Sequence, residues 1–136
     1  METTTVKLKP VVHFREFPFG TIHDPSMREF VTAEPWPNQD NVLEYLRSGH
    51  ILGYPMGADL ADWIDPVSRA NPIIEGRRLG GVTPMTDGVW FWPAGLIYFI
   101  EKYHVVVPAE FIEHAATNNW HVDKELVRQG IYDYEY

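Results

Sequence analysis

Apolar and charged residues alternate near the start of the sequence, and this alternation predicts a strand. Val6 and Leu8 alternate with Lys7 and Lys9, which is the two-residue period of a strand with one buried face. Pro10 interrupts the pattern. Because proline has no backbone N–H to donate, we expect this strand to lie at the edge of a sheet or to contain a bulge there.

Five segments combine apolar residues at helical spacing with residues that commonly start a helix. An aspartate precedes three of them and a proline opens the other two, and both residue types are typical of helix N-termini. The segment that follows Pro93 is apolar around its full turn, so we expect it to be buried on most sides. The predicted helices cover 26–32, 41–48, 93–103, a segment that opens at Pro108, and 124–130.

A β-hairpin is predicted in the second half of the chain. Residues 79–82 and 89–92 are mostly apolar, and Asp87-Gly88 between them suits a tight turn because both residue types accept positive φ. The two tryptophans of the second segment point to one face of an extended strand, and the residue between them points to the other. We expect both faces to be covered, since the alternative is an exposed apolar patch.

These elements predict an α+β fold, with a small, mostly antiparallel sheet packed by three to four helices in a single domain over residues 1–136. Strands and helices do not alternate regularly enough for a doubly wound parallel sheet. A chain of 136 residues can bury a sizeable core without a covalent staple. It contains no cysteine, which excludes disulfides, thiolate metal sites and cysteine nucleophiles.

Neither a secretion signal nor a membrane span is expected. Met1–Thr5 contains no basic cluster followed by an apolar run. The longest apolar stretch, 89–100, is interrupted by Pro93 and Gly95 and is shorter than the roughly 20 residues that a membrane span needs. The cytoplasm is therefore the expected location.

The chain is acidic and rich in aromatic residues. Its formal net charge is −8, and aromatic residues make up 14%. Nucleic acids and anionic membranes are themselves negative, so this charge argues against either as the main partner. Aromatic side chains are enriched in protein interfaces, and the composition therefore favours a protein partner with positive charge.

Histidines and serines offer few candidates for catalysis or metal binding. Glu110 and His114 stand four residues apart and could supply two metal ligands, but the spacing suggests no third. Glu101 and His104 stand three apart and could perform acid–base chemistry, although a histidine there also suits a helix C-terminus. No serine lies in a nucleophile elbow, and no glycine-rich phosphate loop occurs. We expect no cofactor.

Three acids and a tryptophan mark the irregular segment between 57 and 78. Asp59, Asp62 and Asp65 are spaced by three residues, so in a short helix they would share one face. That face is either simply solvated or it attracts a cationic partner. A calcium loop is disfavoured, since its acids are spaced by two. We select Asp59, Asp62, Trp63 and Asp65 as the first candidate partner-binding residues.

A second candidate surface is the C-terminal run in which tyrosines and acids alternate. This run is either an edge strand, a frayed terminus or a contact patch, because tyrosine brings apolar area together with one hydroxyl. The candidate partner-binding residues here are Tyr132, Asp133, Tyr134 and Glu135.

The segment Thr86–Trp120 carries a DG-x-W-x-W turn and strand, a tyrosine-containing helix and a V-x-x-P-x-x-F-I helix start. It resembles a family of small acidic bacterial proteins, some of which look like immunity proteins encoded beside polymorphic or contact-dependent toxins. The resemblance implies a binding protein that occludes the active site of a cognate toxin domain, and the negative charge of the chain favours a toxin with a basic cleft. It brings no catalytic residues.

Two alternatives to a binding protein stay open at this point. The chain could be a small hydrolase or transferase that uses His104 or His114 as a base, in which case a structure should place one of them within hydrogen-bond reach of another polar catalytic candidate. It could also be a self-assembling structural subunit, which light scattering of the isolated protein would reveal.

Overall fold

The elements of secondary structure confirm the α+β class. The structure is a computed structural model that describes residues 4–17, 20–52 and 60–134. The strands are β1 (Thr5–Lys7), β2 (Lys9–Pro10), β3 (His50–Ile51), β4 (Ile73–Ile74), β5 (Arg77–Arg78), β6 (Pro84–Thr86), β7 (Trp90–Pro93) and β8 (Ile131–Asp133). The helices are α1 (Gln39–Arg47), α2 (Gly95–Tyr103), α3 (Ala109–Thr117) and α4 (Lys124–Val127), and a 3₁₀ helix spans Met27–Phe30.

The largest sheet in the described ranges has four strands in the order β2-β7-β6-β3. Strand β7 pairs in parallel with β2 and antiparallel with β6, and β3 pairs antiparallel with β6. The prediction of an edge strand at Pro10 is confirmed, since β2 lies at one end of this order. Two further pairs, β1–β8 in parallel and β4–β5 antiparallel, flank this sheet. The sheets are therefore mixed.

Local signals located the helices, but not always their caps. The prediction that Asp123 caps the last helix is confirmed, because its side chain accepts a hydrogen bond from Leu126 N–H. The first helical segment is capped by Ser26, which forms a capping box with Glu29, and not by Asp24, the predicted cap two residues earlier. Helix α1 begins one residue before Asp40, so that aspartate lies in its first turn instead of capping it. None of the helices in the described ranges could cross a membrane.

The hairpin prediction is correct in its turn and its second strand but wrong in its first. Gly88 adopts φ 96° as the turn requires, and β7 follows it. The partner strand is β6, whereas residues 79–82 form no strand. Asn71 explains the shift, because its side-chain oxygen accepts from Gly81 N–H and Leu60 N–H and ties this segment to a neighbouring loop.

The core surrounds β7 on both faces, as expected. Trp90 and Trp92 pack edge-on against Phe111 of α3, with ring centroids 5.6 Å and 5.9 Å away. Phe91 points to the opposite face and is buried with Leu8 of the segment between β1 and β2. The tryptophan pair is thus part of the core and contributes no exposed patch.

Gly81 marks a close approach of two loops. A Cβ at Gly81 would lie 2.4 Å from Leu60 Cβ and 2.9 Å from the carbonyl oxygen of Ala70. We therefore expect Gly81→Ala to lower the free energy of unfolding by about 2 kcal/mol, in the range of other overpacked positions. Gly76→Ala is a control for the loss of a glycine, since φ is +75° there but no atom lies within 4 Å. Urea unfolding of both variants would measure the difference, and an equal cost at the two positions would contradict this explanation.

Candidate functional site

Asp62, a candidate partner-binding acid, is the centre of a buried hydrogen-bond cluster. Its side chain is 0% exposed. One carboxylate oxygen accepts from the hydroxyls of Tyr98 at 2.8 Å and Tyr103 at 2.7 Å. The other accepts from the backbone N–H groups of Ile64 and Asp65, both at 2.8 Å. Asp62 therefore connects an irregular loop to α2 and offers no surface to a partner.

The hydrogen-bond donors around Asp62 keep its carboxyl group ionised. Burial alone would raise the pKa of this carboxyl, but the hydrogen bonds from Asp65 N–H, the two tyrosine hydroxyls and Ile64 N–H outweigh it and lower the pKa to about 2. Lys102 Nζ lies 3.4 Å from the carboxylate and 3.2 Å from the Ser68 hydroxyl. The hydrogen bond with Tyr98 raises the pKa of Lys102. A protonated lysine cannot act as a base for Ser68, so this cluster is structural.

The other candidates in this segment do not form the expected acidic helix face. Residues 60–72 contain no helix, so that part of the prediction is wrong. Asp65 is half-buried and accepts hydrogen bonds from the Ser68 hydroxyl and Val67 N–H. Trp63 stacks on Phe99, with ring centroids 5.5 Å apart and planes inclined by 5°. Asp59 lies outside the described residues.

The C-terminal candidates occupy an edge strand, which is one of the alternatives left open by the sequence. Strand β8 pairs with β1, and Tyr132 is half-buried with its hydroxyl donating to Val127 O at 2.6 Å. The ring of Tyr134 packs against Phe91, with centroids 5.4 Å apart. Asp133 is exposed, and Glu135 lies outside the described residues. The two tyrosines thus cover the second face of β7.

Four stretches of 18 or more residues contain acids but no lysine or arginine, and they span 29–46, 48–68, 79–101 and 103–123. Two of them, 29–46 and 103–123, contact each other in the fold. We call their combined surface the acidic face. Its carboxylates belong to Glu29, Glu34, Asp40, Glu44, Glu110, Glu113 and Asp123. Arg47 directly follows the first segment and pairs with Glu44, with Nη1 3.4 Å from Oε1.

The two segments of the acidic face lie side by side in the fold. Val106 N–H donates to Phe30 O at 2.9 Å, and Trp36 Nε1 donates to Val105 O at 3.1 Å. Further along, helices α1 and α3 are in contact, and Asn118 Nδ2 donates to the Tyr45 hydroxyl at 3.0 Å. Sequence reasoning missed this surface. The absence of lysine and arginine was visible in each segment, but their pairing depends on contacts about 70 residues apart.

Four of these acids have no partner within the described part of the chain. The carboxylates of Glu34, Asp40, Glu110 and Glu113 are exposed and form no ion pair or hydrogen bond with the described residues. By contrast, acids outside this face, such as Glu75 and Glu101, pair with Lys124 and Arg47. The acidic face therefore carries uncompensated negative charge that is free to meet an external cation.

An apolar groove of about 410 Å³ adjoins the acidic face. Both segments of the acidic face contribute to the groove wall, the first through Phe30 and the second through residues 106–108. Glu110, one of the four unpaired acids, lies two residues after the wall residue Pro108. The lining residues are Val11, Val12, His13, Phe14, Pro25, Phe30, Val106, Val107 and Pro108.

His114 contacts a buried carboxylate. His114 Nε2 lies 3.1 Å from Asp87 Oδ2, and the same oxygen accepts from the Tyr45 hydroxyl at 2.6 Å. A cavity of about 470 Å³ adjoins this cluster. Burial raises the pKa of Tyr45, and the hydrogen bond to Asp87 raises it further. Tyr45 therefore stays protonated and acts as a donor, while Asp87 is also bonded to the backbone of its own turn.

Among the described residues, the other histidine candidates lack the neighbours that catalysis or metal binding would need. His104 adopts a left-handed conformation at the end of α2, and its ring contacts the amide of Gln39, with Nδ1 3.0 Å from Nε2. Glu110 and His114 lie on the same side of α3. Across the described ranges, no three histidine, aspartate or glutamate residues come together as a metal site.

Comparisons with family models, with curated proteins and with solved structures found no match to this chain. The features of the described residues that bear on function are the acidic face, the apolar groove beside it and the cluster around Asp87.

Proposed function

We propose that this protein binds a basic protein partner through the acidic face and the groove beside it. The observation that carries the proposal is the combination of four unpaired surface carboxylates with an adjoining apolar groove. Interfaces between proteins commonly join an apolar centre to a charged rim. Here the groove would supply the centre, and Glu34, Glu110 and Glu113 would supply the rim.

Charge supports a partner of opposite sign. Unpaired carboxylates on one side of a protein with net charge −8 raise the rate at which a cationic protein arrives and select against negative partners. Because the four carboxylates have no internal cation to give up, binding breaks no ion pair in this chain. The cost of association is correspondingly lower than at the paired acids elsewhere.

An immunity-type function in the cytoplasm fits this surface. A toxin domain that cleaves nucleic acids or nucleotides needs a cationic cleft for its substrate, and an acidic protein seated in that cleft would exclude the substrate. The resemblance of Thr86–Trp120 to small bacterial immunity proteins supports the same reading. This segment includes Glu110 and Glu113, so the resemblance overlaps the proposed interface.

The direct test uses the protein encoded by the neighbouring reading frame. Its C-terminal domain would be purified, and its affinity for this protein measured by calorimetry together with its enzymatic activity at equimolar inhibitor. We expect a 1:1 complex that loses activity and weakens as salt is raised. A neighbouring product without toxin activity, or a toxin domain that stays fully active with excess of this protein, would refute the proposal.

An enzymatic function is the second candidate, and the His114–Asp87 contact favours it. A histidine oriented by a carboxylate can act as a general base. Against this, the Asp87 side chain is almost fully buried and already accepts three hydrogen bonds besides the His114 contact, two of them from the backbone of its turn. Turnover of chromogenic carboxylate or phosphate esters that disappears in His114→Gln would favour the enzyme. Equal background rates in both proteins would exclude hydrolysis of these esters by His114.

A further inference from the structure

Some residues that line the groove have backbone N–H and C=O groups without a hydrogen bond to the described residues. Val12, His13 and Val107 form no backbone hydrogen bond with the described residues. Their neighbours do, since Val11 N–H donates to Phe91 O and Val106 N–H donates to Phe30 O. Val12 is half-buried and His13 is exposed, so the unbonded peptide groups on that side of the groove are accessible, whereas Val107 is buried.

Open peptide groups beside an apolar channel suit one kind of occupant best. An extended peptide can pair its own backbone with such groups while every second side chain enters the channel. Compact small molecules would leave the open N–H and C=O groups unused. The groove volume of about 410 Å³ is ample for one aromatic or long aliphatic side chain.

Continuity with the acidic face determines the charge of the occupant. The groove segments lead directly into residues 31–34 on one side and into Glu110 on the other. A peptide that leaves the groove past Phe30 or Pro108 therefore approaches Glu34 or Glu110, whereas Arg15 follows the third lining segment after Phe14. Lysine or arginine residues beside the apolar anchor would meet those carboxylates, whereas acidic residues would be repelled.

We infer that the groove receives an extended segment of the basic partner, with one large apolar side chain inserted among Val12, Phe30 and Val106 and with cationic residues on either side of it. This inference rests on the proposed function and specifies how the same interface is anchored. The partner's backbone pairs with the unbonded peptide groups of Val12 and His13 at one side of the groove. The acidic residues then supply attraction, and the groove supplies the anchor.

Three synthetic peptides would test this arrangement with the full chain. The first is acetyl-Lys-Arg-Phe-Arg-Lys-amide, the second has glycine in place of phenylalanine, and the third has an N-methyl group on the arginine after phenylalanine. Affinities would be measured by NMR titration with methyl-labelled valine. We expect the phenylalanine peptide to bind about ten times more tightly than the other two and to shift the methyl signals of Val12 and Val106.

A pair of variants separates the groove from general surface effects. Val12→Thr with Val106→Thr keeps the side-chain shape but adds hydroxyls to the groove, and we expect it to abolish the preference for phenylalanine. Val67→Thr with Ile73→Thr is the matched control at exposed sites outside the lining. Thermal unfolding of both pairs verifies that each is folded, and if the groove pair is not, Phe30→Ser replaces it.

Three results would overturn the inference. The first is equal binding of all three peptides, the second is no binding of any peptide, and the third is a wild-type dimer that the groove variant abolishes, since a second copy would then be the occupant. These outcomes leave the proposed function open, because inhibition of the toxin domain is measured separately. If the toxin domain is not inhibited while the phenylalanine peptide binds as expected, the proposed function fails and the groove assignment stands.

Discussion

Replacing Asp62 with alanine is expected to lower the free energy of unfolding by about 3 kcal/mol. The change leaves two tyrosine hydroxyls and two backbone N–H groups without their acceptor, and it leaves Lys102 without its buried counter-ion. Loss of one member of a buried charged cluster commonly costs about 3–5 kcal/mol. Urea unfolding followed by tryptophan fluorescence measures the effect.

Asp65→Ala is the matched control for this experiment. Asp65 lies three residues away and is only half-buried, with hydrogen bonds to Ser68 and Val67. We expect this variant to cost about 1 kcal/mol. Equal effects at the two positions would contradict the structural role assigned to Asp62 and return it to the list of candidate surface acids.

The low pKa of Asp62 adds a pH dependence with a definite sign. Because the pKa of Asp62 is lowered from its ordinary value of 3.8 to about 2, the unfolded chain binds this proton more readily than the folded one. The contribution to stability is therefore complete above about pH 4 and is lost as the pH falls toward 2. We expect wild type to lose stability more steeply than Asp62→Asn over that interval, and parallel curves would contradict the assignment.

Charge reversal on the acidic face is expected to weaken partner binding about 100-fold. The triple variant Glu34→Lys, Glu110→Lys, Glu113→Lys replaces three unpaired carboxylates with cations opposite a basic surface. At about 1 kcal/mol for each reversed charge, the loss amounts to two powers of ten in Kd. We also expect the salt dependence of binding to flatten, since fewer attractive charges remain to be screened.

A second triple variant keeps the change in net charge but moves it away from the interface. Glu75→Lys, Glu101→Lys, Glu125→Lys alters acids that pair with Lys124, Arg47 and Arg128 outside the acidic face. Exposed pairs of this kind contribute little to stability, so the variant should fold. We expect less than a fivefold change in Kd. If both triple variants weaken binding equally, net charge and not the acidic face governs association.

Local chemistry in the sequence was enough to predict the turns, most helices and the fold class. The turn at Asp87-Gly88 and the cap at Asp123 depend on residues within three positions of each other, and such signals survive in any fold that keeps the segment. Strand β6 was misplaced because the apolar residues around Gly80-Gly81 are buried by loop contacts instead of by strand pairing. Burial alone does not distinguish these two environments.

The candidate site was harder to predict, because its parts come from distant segments. The sequence pattern predicts that Asp62 is a surface acid. The structure shows that it is buried, with hydrogen bonds from two tyrosines of α2 about 40 residues away. The same holds for the acidic face, whose halves meet through contacts such as Trp36 with Val105. Unpaired charge is a property of neighbours in space, so no window of sequence contains it.

The most direct test of the account is a hydrogen-exchange footprint of the complex with the toxin domain. Amide exchange would be compared between the free protein and the 1:1 complex, with peptides that cover the described ranges. The account predicts new protection at residues 11–14, 30–36 and 105–114, where the groove and the acidic face lie. Protection confined to 60–72 or 131–134, with exchange unchanged in those three segments, would contradict it.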